Sequence, residues 1–258
     1  MQTFQNLLQE IDRLFAVYKA QRPLAPNEQA AQYEKLRLEW TYHSNAIEGN
    51  SLTLSETQFY LREGLTSEGK PLQDFLAAKN HAEAIDWLFE YAKARRPISE
   101  GFLKDLNALL HKGITTQSAL GGGGQRIARE ISPGAYKTQP NHVLTLTGEI
   151  HYYVDPVQVH DEMEKLINLI AEQESKMHPV ELASAAHYEF TRIHPFDDCN
   201  GRGARLLLNL ILMRAGYPPI VIKIEERRRY IETLEAGDKD NREPFYIFVA
   251  EHVKQSLA

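Results

Sequence analysis

With 258 residues, 43% of them hydrophobic, the chain can bury a sizeable core, and its length suggests one or two domains of the soluble globular class. Lysine and arginine number 29 against 35 aspartates and glutamates, and the only dense basic run is Arg227 to Arg229, so bulk nucleic-acid binding gets little support. One cysteine excludes an intrachain disulfide, no run approaches the roughly 18 apolar residues of a membrane span, and the first residues lack a signal peptide's apolar stretch, so a cytoplasmic protein is expected.

Phe4, Leu7, Leu8, Ile11, Leu14, Phe15 and Tyr18 recur at three- and four-residue intervals, which predicts an amphipathic first helix broken by the PLAPN stretch at 23–27. A second helix is predicted from about Glu28 to Ile47, with Tyr33, Leu36 and Trp40 spaced for packing. At its end Ser44 and Glu48 stand four apart and so share one face, with Gly49 as a stop. Ser55 and Gln58 suggest a capping box for a short third helix, and helices near 74–93 and 99–112 follow.

Between 113 and 153 the pattern changes. Four glycines at 121–124 and prolines at 133 and 140 predict a long irregular segment. No Gly-Lys-Ser or Gly-Lys-Thr follows the glycines, so they read as a flexible turn rather than a phosphate loop. The stretch NHVLTLTGEIHYYVD alternates, turns at Thr147–Gly148 and resumes with Ile150, Tyr152 and Tyr153, which predicts a β-hairpin near 141–153. Asp155–Pro156 and His178–Pro179 each start a helix.

The second of these helices leads into HPFDDCNGRGAR, residues 194–205. His194 can exchange a proton near neutral pH, and Asp198 offers the hard oxygen that magnesium prefers. Asn200 and Gly201 open a helix whose unpaired amides attract phosphate, and Arg202 and Arg205 stand three apart on it. This inventory suits a nucleotide triphosphate. The six histidines from His142 to His194 contain no close pair and give no support to a zinc cluster, and no G-x-S-x-G marks a serine hydrolase.

The run at 194–205 resembles the signature of the Fic family and departs from it at Cys199, where the family has glycine. The stretch SNAIEGN, residues 44–50, resembles the inhibitory motif of the same family. The resemblance covers about Tyr33 to Phe248 and implies an all-α, Fic-type helical bundle with a small β-hairpin flap. It is expected to form one domain over 1–258, with an inhibitory helix region at 28–50 and a core at 74–250.

It further implies an autoinhibited protein adenylyltransferase that moves AMP from ATP to a hydroxyl of a target protein. His194 would be the base, Asp198 the magnesium ligand, and Asn200, Gly201, Arg202 and Arg205 the phosphate contacts. Ser44 and Glu48 would restrain the site, with Glu48 pairing with Arg205. Tyr230 would line the adenine pocket, where Asp238 replaces the family's asparagine. The flap residues Thr147, Gly148, Glu149, Ile150 and His151 would pair with the target's backbone by strand addition. Transfer of another phosphate-containing group, removal of AMP, and a catalytically weakened interaction module stay open, as does self-association into a homo-oligomer. If position 199 needs positive φ, Cys199 costs about 1–2 kcal/mol, and its side chain could crowd the phosphate site.

Overall fold

The computed structural model describes residues 3–120, 126–145 and 148–257. Helices α1 (Phe4–Ala20), α2 (Pro26–Ile47) and α3 (Leu54–Glu63) come first, followed by α4 (Leu72–Ala94) and α5 (Glu100–Leu110). Two short antiparallel hairpins intervene, β1 (Thr116–Leu120) with β2 (Arg126–Glu130) and β3 (His142–Leu144) with β4 (Ile150–Tyr152). Helices α6 (Val159–Gln173), α7 (Pro179–Ile193), α8 (Asn200–Arg214), α9 (Arg227–Gly237) and α10 (Glu243–Ser256) complete the described chain. The helical architecture with a small hairpin beside the 194–205 loop agrees with expectation.

Local chemistry accounts for most boundaries. Thr3 caps α1 by accepting from the Asn6 amide, and the stripe Phe4, Leu7, Leu8 and Ile11 is buried against α10. Two sequence expectations need correcting. The capping box of α3 is Thr53 with Glu56, not Ser55 with Gln58: the Thr53 hydroxyl accepts from the Glu56 amide at 3.2 Å and the Glu56 carboxylate from the Thr53 amide at 2.8 Å. An ionised carboxylate also suits the helix N-terminus better than an amide does.

The segment after Gly113 is not irregular throughout, because β1 pairs with β2 in the register Gln117 with Arg129. Glycine-rich punctuation masked this hairpin, whose strands carry few of the apolar alternations that mark a sheet. Gly121 to Gly124 lie outside the described residues.

Helix α8 is the centre. Leu206, Leu207, Leu208, Leu210, Ile211 and Leu212 are buried on all its sides, as expected of a helix surrounded by others. It packs against α7, α4 and α5, and α7 crosses it closely enough that a Cβ on Gly203 would meet the Phe190 ring at 3.3 Å. The loop between these two buried helices is therefore anchored at both ends. No helix among the described residues is long and apolar enough to cross a membrane.

Candidate active site

Helix α7 ends where His194 adopts a left-handed conformation, φ 51°, its amide donating back to the Phe190 carbonyl. The imidazole stacks on Tyr153 at 3.7 Å between ring centres. Its Nδ1 lies 3.4 Å from the Thr191 carbonyl, which can only accept, so the proton sits on Nδ1 and the Nε2 lone pair is left for the cleft. Burial, reinforced by the charge of Lys137, pushes the imidazole down to about 3, so the ring is neutral at physiological pH.

Lys137 brackets this histidine: its Nζ donates to the Ile193 carbonyl at 3.2 Å and its amide to the Pro195 carbonyl at 2.9 Å. Burial lowers Lys137 itself to about 8. Sequence reading missed Lys137, because a lysine 57 positions before the histidine in an apparently irregular segment carries no local signal; only the fold brings it here.

The rest of the loop is stitched to its surroundings. Phe196 is buried and pins the loop to the core. The Asn200 amide closes the turn, accepting from the Phe196 amide and donating to its carbonyl, both at 2.9 Å. Asn107 on α5, also missed, donates to the Asp198 carbonyl at 3.0 Å and accepts from the Gly134 amide at 2.9 Å. Gln117 on β1 donates to the Asp197 carbonyl at 3.0 Å. The unpredicted hairpin thus helps to hold the 194–205 loop.

Cys199 has φ 64° and caps α8, so the position does need the left-handed conformation that glycine adopts without strain. The thiol does not crowd the N-terminus of α8. It turns inward, 3% exposed, towards Nδ1 of His111 at 3.9 Å. Next to it, burial alone would raise the Asp198 carboxyl, but Arg202 and the Cys199 amide outweigh that and hold it below the ordinary value. An ionised, half-buried carboxylate is a hard oxygen donor of the kind that binds magnesium together with substrate phosphates, so the residue fits that ion.

Helix α2 delivers the other half of the site. Arg205 donates from Nε to the Ser44 hydroxyl at 3.0 Å, and from Nη2 to the Ser44 carbonyl and the Glu48 carboxylate, both at 2.8 Å. Arg202 reaches Oδ1 of Asn45 and Oδ2 of Asp198, each at 3.4 Å. Both guanidinium groups are buried. Asn45, inside the SNAIEGN stretch, is a contact that reading by motif overlooked. Arg227 fixes the end of α2 by donating to the Ile47 carbonyl at 2.8 Å.

These elements enclose a cleft of about 250 Å³. Glu48, Gly201, Arg205, Tyr230, Leu234 and Asp238 line it together with His194 and the flap, and Arg205 lies over the Tyr230 ring at 5.9 Å. The Tyr230 hydroxyl contacts Nε2 of His187 at 2.8 Å. Asp238 accepts from the Tyr188 hydroxyl at 2.9 Å and faces His151 of the flap at 3.5 Å. Of the flap residues named from sequence, Ile150 and His151 lie on β4 and Gly148 forms the turn at φ 85°. Glu149 donates its amide to Oγ1 of Thr145, and Thr147 lies outside the described residues.

The profile of the Fic/DOC family matches residues 97–212. A Fic-domain-containing signaling protein from Bacteroides thetaiotaomicron is 33% identical in sequence and superimposes with a TM-score of 0.86 over 96% of this chain and 94% of its own. The chain belongs to the Fic family. Fic-1 from C. elegans, 25% identical, has a TM-score of 0.82 over 98% of this chain and 70% of that one. Among curated relatives, the protein adenylyltransferase Fic of Nematostella vectensis is 30% identical over 98% of this chain and 55% of its own length. The corresponding figures for that of Culex quinquefasciatus are 29%, 98% and 46%. The chain thus spans about half the length of the curated relatives it matches.

Proposed function

We propose that this Fic protein is an autoinhibited protein adenylyltransferase, which moves AMP from ATP to a hydroxyl side chain of a target protein. The observation that carries this reading is the meeting of Glu48 with Arg205 over Gly201, in the same cleft as a neutral His194.

The chemistry follows from the groups present. Nε2 of His194 accepts the proton of the target hydroxyl as its oxygen attacks the α-phosphorus, and the bond to the departing pyrophosphate breaks. The amides at the start of α8, from Asn200 and Gly201, with the forks of Arg202 and Arg205, hold the phosphates. The Asn200 side chain, committed to Phe196, contributes by keeping that turn in shape. Asp198 would hold magnesium, which when bound offsets phosphate charge. Tyr230 and Leu234 offer the apolar wall that a base requires. The target docks its backbone along the β3–β4 flap, where Ile150 is exposed.

Glu48 opposes this arrangement. Its carboxylate takes the Nη2 donor of Arg205 that a terminal phosphate would use, and Ser44 holds the same guanidinium from behind. The test is incubation of Glu48→Gly with α-labelled ATP and magnesium in lysate. Label on protein is expected with Glu48→Gly, weaker label with the wild type, and none with Glu48→Gly/His194→Ala. Absence of label from all three, or turnover that requires Glu48, would overturn the proposal.

A further inference from the structure

The geometry points to a second cation site, for a borderline-soft divalent ion of the zinc class, formed by His111, Asp198 and Cys199. One ligand atom of each residue lies within 4.8 Å of the others. Zinc binds thiolate sulfur at about 2.3 Å and imidazole nitrogen or carboxylate oxygen at about 2.0–2.2 Å, so tetrahedral donors stand roughly 3.3–3.8 Å apart. The pair Sγ of Cys199 and Nδ1 of His111, at 3.9 Å, stands just outside that spacing. The carboxylate, up to 4.8 Å from the other two donors, must close in by about 1 Å to meet that spacing, loosening its 3.4 Å contact with Arg202 as it does so.

Two features separate this group from a chance gathering of polar residues. His111 is 3% exposed, its Nδ1 lies 3.9 Å from the thiol, and its ring also interacts with the Asp198 backbone. The three donors are also held in place by their surroundings. His111 caps the end of α5, and Asn107 one turn earlier on the same helix binds the Asp198 carbonyl at 3.0 Å. The carboxylate is further oriented by the Cys199 amide at 2.6 Å. Such supporting hydrogen bonds are what fix ligands around a metal.

On binding, the bond from sulfur to the metal forms as the thiol proton leaves to solvent, with no change of oxidation state. Three protein ligands leave a fourth position for water. Access runs past Asp198, the half-buried member of the group. This set uses His111, outside the six histidines considered from sequence.

Because one carboxylate cannot serve both ions fully, occupancy by the softer metal removes Asp198 from magnesium. That consequence rests on the adenylyltransferase reading; the binding itself does not.

The experiment titrates cobalt(II), as a spectroscopic substitute for zinc, into the reduced full chain, with zinc affinity measured in parallel by equilibrium dialysis. A thiolate-to-cobalt charge-transfer band that saturates stoichiometrically is expected. Cys199→Gly, in which glycine adopts φ 64° freely, loses the band and binds zinc more weakly by over about tenfold, as does His111→Gln; disturbing groups that only orient ligands already reaches that scale. Circular dichroism confirms that each variant is folded. No band in the wild type, or unchanged zinc affinity in Cys199→Gly, overturns the site. Both readouts are independent of catalysis, so failure of the transferase reading would leave them intact.

Discussion

The carboxylate of Glu48 and the guanidinium of Arg205, 157 residues apart in the chain, meet at 2.8 Å directly above Gly201. A Cβ at position 201 would lie 2.3 Å from Oε1 of Glu48. The glycine therefore gives the α2 carboxylate room to reach the start of α8, where it joins the Ser44–Arg205 and Asn45–Arg202 bonds that also link the two helices.

Removing the carboxylate should raise adenylyl transfer. A hydrogen bond between charged groups contributes about 1.5–3 kcal/mol, so Glu48→Gly is expected to be faster than the wild type by roughly tenfold to a hundredfold in single-turnover labelling. Equal rates would remove Glu48 as a restraint.

Gly201→Ala should displace the partly exposed Glu48 carboxylate and destabilise the wild type by about 0.5–1.5 kcal/mol, the scale of one lost hydrogen bond. In a Glu48→Gly background the same change should cost less. A double-mutant cycle by urea denaturation measures this, with a coupling of at least about 0.5 kcal/mol expected between groups in contact. Additive effects would mean that the glycine serves some other purpose.

Cys199→Gly and Cys199→Ala both lose the thiol, but only glycine relaxes the left-handed backbone at φ 64°. The glycine variant is expected to be more stable than the alanine variant by about 1–2 kcal/mol in thermal or chemical denaturation. The reverse order would show that the conformation carries no strain.

His194 is held neutral, at about 3, so its ring carbon and proton NMR signals should not titrate between pH 5 and 8. A midpoint near the ordinary value would contradict the buried, Lys137-facing environment.

His187, fully buried, is likewise pushed down to about 3. Its folded-state value lies below its unfolded value of 6.5, so the unfolded chain binds the extra proton. Stability is therefore unaffected above pH 6.5 and falls between pH 6.5 and about 3, by about 1.4 kcal/mol per pH unit from this histidine alone. Denaturant midpoints at pH 7 and 5 compare the two regimes. A His187→Gln variant with the same pH dependence as the wild type would refute the assignment.

Much was legible in the sequence because it is locally encoded. Apolar spacing, N-caps and prolines placed the helices, and the alternation around Gly148 marked the β3–β4 hairpin. The run from His194 to Arg205 put proton acceptor, carboxylate and arginines on one turn, since neighbours in a loop and its following helix are close whatever the rest of the chain does. The family resemblance added Glu48 as a partner for Arg205. The β1–β2 hairpin escaped notice because its strands lack an apolar rhythm and its glycines read as disorder of pattern.

Tertiary structure alone decided the rest. That Lys137 brackets His194, that Asn107 and Gln117 carry the loop, and that Cys199 turns towards His111 are contacts across 57, 91, 80 and 88 positions. No spacing rule spans such separations. They arise when α5, α7 and α8 bury their apolar faces together, which forces the polar groups left at their ends to find partners in one another.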